Sequence, residues 1–391
     1  MKSFVTEHQN NKRIFGLDII RTLAILFVLI AHTSQHSAPP EWLKHFGFLG
    51  IIGVELFFVL SGFLIGGILL KLIEKDMFKT FKDLRVFWKR RWMRTVPLYI
   101  VALLAFLRFD YHGWHPLTFH PEYWLFLQNF AWPITDDFFT LSWSLAVEEH
   151  FYLWFPSLLL ILYIFASKKV AFYTTVLMFL GISISYRISL PHMDWNEFNF
   201  NSRMVVLARL DAIMFGVLMV YVHKYHKRLW DKLSSLIILW LLLVLGLFVW
   251  YYKGTLGITT PIIQTFGMTI QAFLLSLLLP WFSNIKQKSN GFLFKGVVLT
   301  SKISYSLYLG HILVIIFINT MLSRFGLYDT IYHQFYYLYP LYFICFYILA
   351  LFTYYTVEQP FLGLRDGEIT KSRILSLIPF LILVSYLIFF A

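Results

Sequence analysis

GLDIIRTLAILFVLIAHTSQH, residues 16–36, is an apolar run long enough to cross a bilayer, yet it carries Arg21 and His32 within it. Eleven residues on an α-helix make three turns to within about 20° and rise about 16 Å, so both side chains share one face at different depths. Ionisable groups inside hydrocarbon are costly, and by default they mark a buried site or a pathway. The stretch therefore predicts a membrane protein that performs chemistry within or across the bilayer.

Working outward, the whole chain has the same character. Its 391 residues are 59% hydrophobic, 20% aromatic and only 14% charged, with a mean hydropathy of +0.67, which excludes an ordinary soluble domain. Apolar stretches near 16–36, 47–72, 95–109, 138–166, 170–188, 204–223, 234–252, 260–282, 302–322, 336–357 and 373–390 predict eleven spans. The expected fold is all-α: a polytopic transmembrane helical bundle of about ten core helices plus one extra C-terminal helix. Residues 1–362 read as one membrane domain, and 363–391 as a short inner loop with the additional helix. Cys345 is the only cysteine and lies inside a span, so no intrachain disulfide forms, and nothing reads as a metal site.

A formal charge of +12 raises the question of nucleic acid, and the placement of the basic residues answers it. With the N-terminus in the cytoplasm, 25 Lys and Arg fall on the inner side and six on the outer side: Lys44, Arg108, Arg187, Arg203, Lys253 and Arg324. Arg21 and Arg209 lie within spans. This skew follows the positive-inside rule, supports a multi-pass chain with its N-terminus in the cytoplasm, and leaves no case for a nucleic-acid partner. A signal peptide is rejected for the N-terminus, because its apolar run contains Arg21 and is too long. The outer loop 110–137 holds His112, His115 and His120, read as rim residues, and EYWLFLQNFAW (122–132), too short to span and suited to the interface.

Topology converts position into depth. Arg21 falls near the inner boundary; Arg90, Arg91 and Arg94 of FWKRRWMRTVP enter the third span, with Arg91 and Arg94 on one face. Juxtamembrane basic residues ordinarily anchor helix ends, but together with an embedded arginine they form a clamp for a phosphorylated ligand. His32 is the candidate general base, since imidazole titrates near neutrality. Glu55 and Glu148 are expected in an outer layer, where either orients His32. Asp18, Ser61, Tyr152, Arg209, Asp211, His311 and Glu358 are supporting candidates: His311 for a helix–helix hydrogen bond, Arg209 and Asp211 for neutralising another span's charge, Glu358 for capping.

These residues sit in motifs that, in order, resemble the integral-membrane acyltransferase-3 family of O-acyltransferases. They are Gly16-Leu17-Asp18 before Arg21 and His32, GVELFFVLSGFLIG at 53–66, RRWMRTVP at 90–97, SWSLAVEEHFYL at 142–153, ARLDAIMFG at 208–216, SYSLYLGH at 304–311 and VEQP at 357–360. The resemblance implies an enzyme of the bacterial inner membrane that takes an acyl group, commonly acetyl from cytosolic acetyl-CoA, and delivers it to a hydroxyl of an extracytoplasmic carbohydrate or glycolipid in the cell envelope. It implies essential roles for Arg21 and His32, and places the family's third-span arginines on Arg91 and Arg94 and its fourth-span glutamate on Glu148. An acyl-histidine relay is the covalent variant of that chemistry. His150 departs from the family's usual Gln, and Gly310 from its usual aromatic. No hydrolase-like domain follows the last helix, which points to a self-sufficient enzyme or one with a separate partner. The rival classes are a secondary transporter or flippase for a sugar-linked or acylated substrate, which uses the same embedded charges, and a silent membrane sensor. The absence of an inverted repeat weighs against transport.

Overall fold

The computed structural model describes residues 13–35, 43, 46–110, 113–114, 121–134, 138–253, 260–287, 291–327, 335–366, 375 and 377–389. The described chain is a helical bundle, because a backbone in hydrocarbon has to satisfy its own N–H and C=O groups. Its elements are α1 (Phe15–Gln35), α2 (Leu49–Glu74), α3 (Phe81–Arg108), α4 (Pro121–Trp124), α5 (Ser142–Phe165), α6 (Lys168–Ser189) and α7 (Trp195–Phe198), which runs into a π turn, Asn199–Arg203. There follow α8 (Leu210–Tyr225), α9 (Lys227–Ser235), α10 (Ile237–Lys253), α11 (Pro261–Ser276), α12 (Leu279–Ser283), α13 (Phe292–Arg324) and α14 (Phe335–Thr353). A second π turn, Tyr354–Glu358, leads to α15 (Gln359–Asp366), and α16 (Ile378–Phe389) comes last. A two-residue ladder, Phe109–Asp110 with Gly113–Trp114, is the extended structure among the described residues.

Helices occur at all eleven expected spans, but among the described residues seven are long and apolar enough to cross a membrane, or eight if the pair α9–α10, bent by 63°, counts as one. The shortfall has local causes. The apolar part of α3 is short, flanked by Arg91 and Arg94 before it and Arg108 at its end, α8 is only 16 residues long, and α16 is only 12.

The centre of the bundle is the crossing of α2 with α8. A Cβ on Gly62 would stand 1.9 Å from the Ile213 carbonyl oxygen, and one on Gly216 would stand 2.0 Å from that of Val59. Small residues let the two backbones touch, which is how helices gain packing where lipid supplies no hydrophobic drive. Around that seam the charged residues lock. Arg209 pairs with Glu55 of α2, and Arg187 of α6 pairs with Asp211 at 2.8 Å, with side chains 1% and 0% exposed. Arg187 also donates to the carbonyls of Thr265 (2.7 Å) and Ala208 (2.5 Å).

α1 packs between α2 and α13. Its start is tied to α13 through Asp18, which accepts from Ser301 Oγ at 2.7 Å and pairs with Arg13. Thr22 Oγ1 adds a bond to the Val297 carbonyl at 2.9 Å. α16 is held against α3 by Arg108 Nε, which donates to the Leu387 carbonyl at 3.0 Å.

Two sequence expectations change here. Arg187 and Arg203, counted as outer-loop cations, are 3% and 6% exposed inside the protein. The segment 122–132 does not simply lie at the interface: Asn129 is fully buried, its Nδ2 donates to the Trp143 carbonyl at 3.1 Å, and backbone bonds join 129–130 to 206–207. Trp124, Leu125 and Trp132 of the same segment remain exposed. His112, His115 and His120 lie outside the described residues.

Candidate active site

Two cavities lie along α1, called inner and outer here according to which end carries the basic 71–94 segment. The inner cavity, about 100 Å³, is lined by Arg21 of α1, Arg91 and Arg94 of α3, Ser61 of α2, and Glu148 and Tyr152 of α5. The outer cavity, about 400 Å³, is lined by His32 and Gln35 of α1, Trp143 at the start of α5, and Trp195, Asn199 and Arg203 around the first π turn. The three-turn spacing thus places Arg21 and His32 on one helix and in two different cavities.

Arg91 and Arg94 reach the inner cavity together because residues three apart share a helix face. The Arg91 guanidinium lies 5.9 Å from the centre of the Phe87 ring, and its buried Nε has no hydrogen-bond partner among the described residues. A buried donor left open in this way is costly unless a ligand fills it. Arg90 belongs to another face: it is buried and does not line the cavity.

Glu148 is found in the inner cavity with the arginines, and not beside His32 as its expected depth implied. Ser144, Glu148 and Tyr152 stand four residues apart, so they share the face of α5 that meets the inner space. Glu148 Oε1 accepts from Ser61 at 2.7 Å, and Oε2 accepts from Tyr152 at 2.9 Å. Glu55 is not beside His32 either, for it is sealed against Arg209. Asp18, Arg209 and Asp211 likewise serve the packing described above. Glu358, on the second π turn, accepts from Ser306 of α13.

The group beside His32 is His311 of α13. His32 Nδ1 and His311 Nε2 are 2.8 Å apart, with the rings stacked at 5.0 Å. His311 Nδ1 lies 3.1 Å from the Leu307 carbonyl. A carbonyl only accepts, so His311 carries its proton on Nδ1, and in the neutral ring Nε2 is the acceptor. His32 Nδ1–H is then the donor, which puts the lone pair of His32 on Nε2. The helix–helix bond expected of His311 therefore also sets the tautomer of the candidate base, the task expected of a glutamate.

Three features escape a reading of the sequence. Arg203 enters the outer cavity from a π turn, which periodicity does not reveal; its guanidinium lies 4.9 Å from the Trp143 ring centre, and Nη1 donates to Asn199 Oδ1 at 2.9 Å. Tyr308 lines both cavities. The pairing of His311 with His32 is the third; the i, i+3 spacing of Tyr305, Tyr308 and His311 in SYSLYLGH is the signal that put them on one stripe. Of the two departures noted in the sequence, His150 donates from Nδ1 to the Ala146 carbonyl at 2.9 Å and packs on Phe130, while Gly310 lies against Leu349 of α14. Among the described residues, no group of three His, Cys, Asp or Glu is placed to hold a metal ion.

A family model described as an acyltransferase domain matches residues 14–359. Curated relatives include a Staphylococcus aureus (strain COL) protein named "Putative O-acetyltransferase", 28% identical over 349 residues covering 81% of this chain and 53% of that protein. Another is the O-acetyltransferase OatA of S. aureus (strain NCTC 8325 / PS 47), 26% identical over 341 residues covering 78% of this chain and 51% of that one. The chain spans about half the length of these relatives. No solved structure matches it.

Proposed function

The chain belongs to the integral-membrane acyltransferase-3 family, and from that premise we propose that it is an O-acyltransferase. In this reading it moves an acyl group, acetyl in the first instance, from cytosolic acyl-CoA to a hydroxyl of an extracytoplasmic carbohydrate or glycolipid, of the O-antigen, exopolysaccharide or peptidoglycan type. The single observation that carries the reading is that one helix presents a guanidinium to one cavity and an imidazole to another. Such a division suits a donor whose charged nucleotide stays on one side and an acceptor that stays on the other. In this reading the inner cavity opens to the cytoplasmic face of the inner membrane, an orientation that the basic inner loops support.

Arg21, Arg91 and Arg94 offer planar forks to the donor's phosphates, and the open Nε of Arg91 fits an anionic ligand. Glu148, held by Ser61 and Tyr152, balances the cluster and fixes its geometry. In the outer cavity Trp143 and Trp195 give flat apolar faces, and Asn199 and Gln35 give hydrogen-bonding groups, a lining suited to a sugar ring. His32 Nε2 takes the acceptor's hydroxyl proton as that oxygen attacks the thioester carbonyl. The C–O bond forms, the C–S bond breaks, and the imidazolium passes the proton to the departing thiolate, leaving an ester and a free thiol. Arg203 supplies positive charge in the same cavity for the oxyanion formed on the way. The membrane's lipids are the remaining partner.

The test is transfer of labelled acetyl from acetyl-CoA in washed membranes, with mass spectrometry of envelope glycans to locate the product. The wild type yields O-acetylated glycan, and His32→Ala lowers the rate by about 10²–10⁴-fold at equal membrane abundance. Full transfer by His32→Ala, or substrate uptake into proteoliposomes without acyl donor, overturns the reading.

A further inference from the structure

We propose that Tyr308, together with Val54, is the acyl-length selector of this protein: the two side chains form the partition through which a short acyl group reaches the outer cavity and a long one does not. The proposal rests on the acyl-transfer reading above. Val54 of α2 and Tyr308 of α13 are the residues that line both cavities, so the two spaces abut at them and nowhere else along their described linings. An acyl carbon travelling from the arginine cavity to His32 passes this point.

The Tyr308 side chain is built to hold its place. It is only 6% exposed. Its hydroxyl donates to the Leu141 carbonyl at 3.1 Å and so accepts from Ser144 Oγ at 2.7 Å. Leu141 lines the outer cavity and Ser144 the inner one, which pins the phenol to both sides of the partition. The ring meets Phe57 of the inner wall edge-on at 6.3 Å and His311 at 6.0 Å. It therefore stands between the apolar part of the donor cavity and the histidine that sets the tautomer of His32. Tyrosine combines a rigid ring, which fills the passage, with a polar tip that latches it. Phenylalanine keeps the ring and loses the latch, while leucine at 308 or alanine at 54 removes part of the wall.

The experiment compares acetyl-, butyryl- and hexanoyl-CoA as donors for the wild type, Tyr308→Phe, Tyr308→Leu and Val54→Ala in proteoliposomes. Each methylene that a pocket accepts or refuses changes discrimination by about 10–200-fold. The butyryl-to-acetyl transfer ratio is therefore expected to rise at least about tenfold in Val54→Ala and Tyr308→Leu and to stay within about twofold in Tyr308→Phe. An unchanged ratio in Val54→Ala, with acetyl transfer retained, overturns the selector; Val54→Ala carries the test alone if Tyr308→Leu does not fold. A wild type that transfers none of the three donors brings down the acyl-transfer reading and the selector with it.

A second arm needs no turnover. In a Cys345→Ser background, Ser304→Cys places a thiol in the lining of the inner cavity, and a membrane-impermeant thiol reagent is added from the outer face. Labelling is expected only when Val54→Ala or Tyr308→Leu is also present. Equal labelling with and without those changes overturns the partition whatever the acyl-transfer assay reports.

Discussion

The lock around α8 and the cavity walls along α1 use the same residue types and treat them in opposite ways. At the lock, Arg187 spends its donors on two carbonyls, Asp211 and Thr269, and Arg209 meets Glu55 with both side chains fully buried. The lock is sealed more than saturated, since Glu55 Oε2 and Arg209 Nε and Nη1 keep no partner among the described residues. At the cavities, Arg21, Arg91, Arg94, Glu148 and His32 face open space. An intramembrane charge is thus not in itself a site. What separates the two classes is whether the fold leaves room beside the charge, because breaking a sealed pair costs stability whereas a charge beside a cavity has space for the ligand proposed above.

That contrast can be broken most forcefully at the lock. Arg187→Ala strands Asp211 in the interior and should cost about 3–5 kcal/mol, read as a lower thermal midpoint of the detergent-purified protein. If acyl transfer falls while the midpoint holds, Arg187 belongs to the site instead. Beside the outer cavity, His311→Ala should slow transfer on the order of 10²-fold per folded molecule, because His32 loses the acceptor that sets its tautomer. Glutamine at 311 carries a carbonyl oxygen and should restore part of the rate; equal loss in both variants refutes a positioning role.

Gly216→Ala drives a Cβ into the Val59 backbone and should cost about 1–3 kcal/mol without changing donor affinity in the surviving protein. A stable Gly216→Ala protein, judged by thermal unfolding, means the α2–α8 seam can slide. The smallest effect sharpens the cavity side. Arg21→Lys keeps the charge but loses the planar fork, so the apparent KM for acyl-CoA should rise about tenfold with kcat less affected. A fall in kcat alone puts Arg21 outside donor binding.

Much of this was legible in the residue order. The eleven helices, the shared face of Arg21 and His32 and that of Arg91 and Arg94 follow from hydropathy and from 3.6 residues per turn, rules that act along one chain. Glu148 shows the limit of such rules. Depth put it in one outer layer with the histidine, but in the structure it meets Ser61 and Tyr152 in the inner cavity.

By itself, the sequence determined a membrane-embedded helical bundle and the family to which it belongs, because burial in hydrocarbon and backbone satisfaction are local demands. Only the tertiary structure decided that His311 and not a glutamate meets His32, that Arg203 joins the outer cavity, and that Tyr308 stands between two spaces. Those outcomes depend on how α13, α5 and the first π turn rotate against α1, and helix rotation is set by packing between segments that no period within a single segment records.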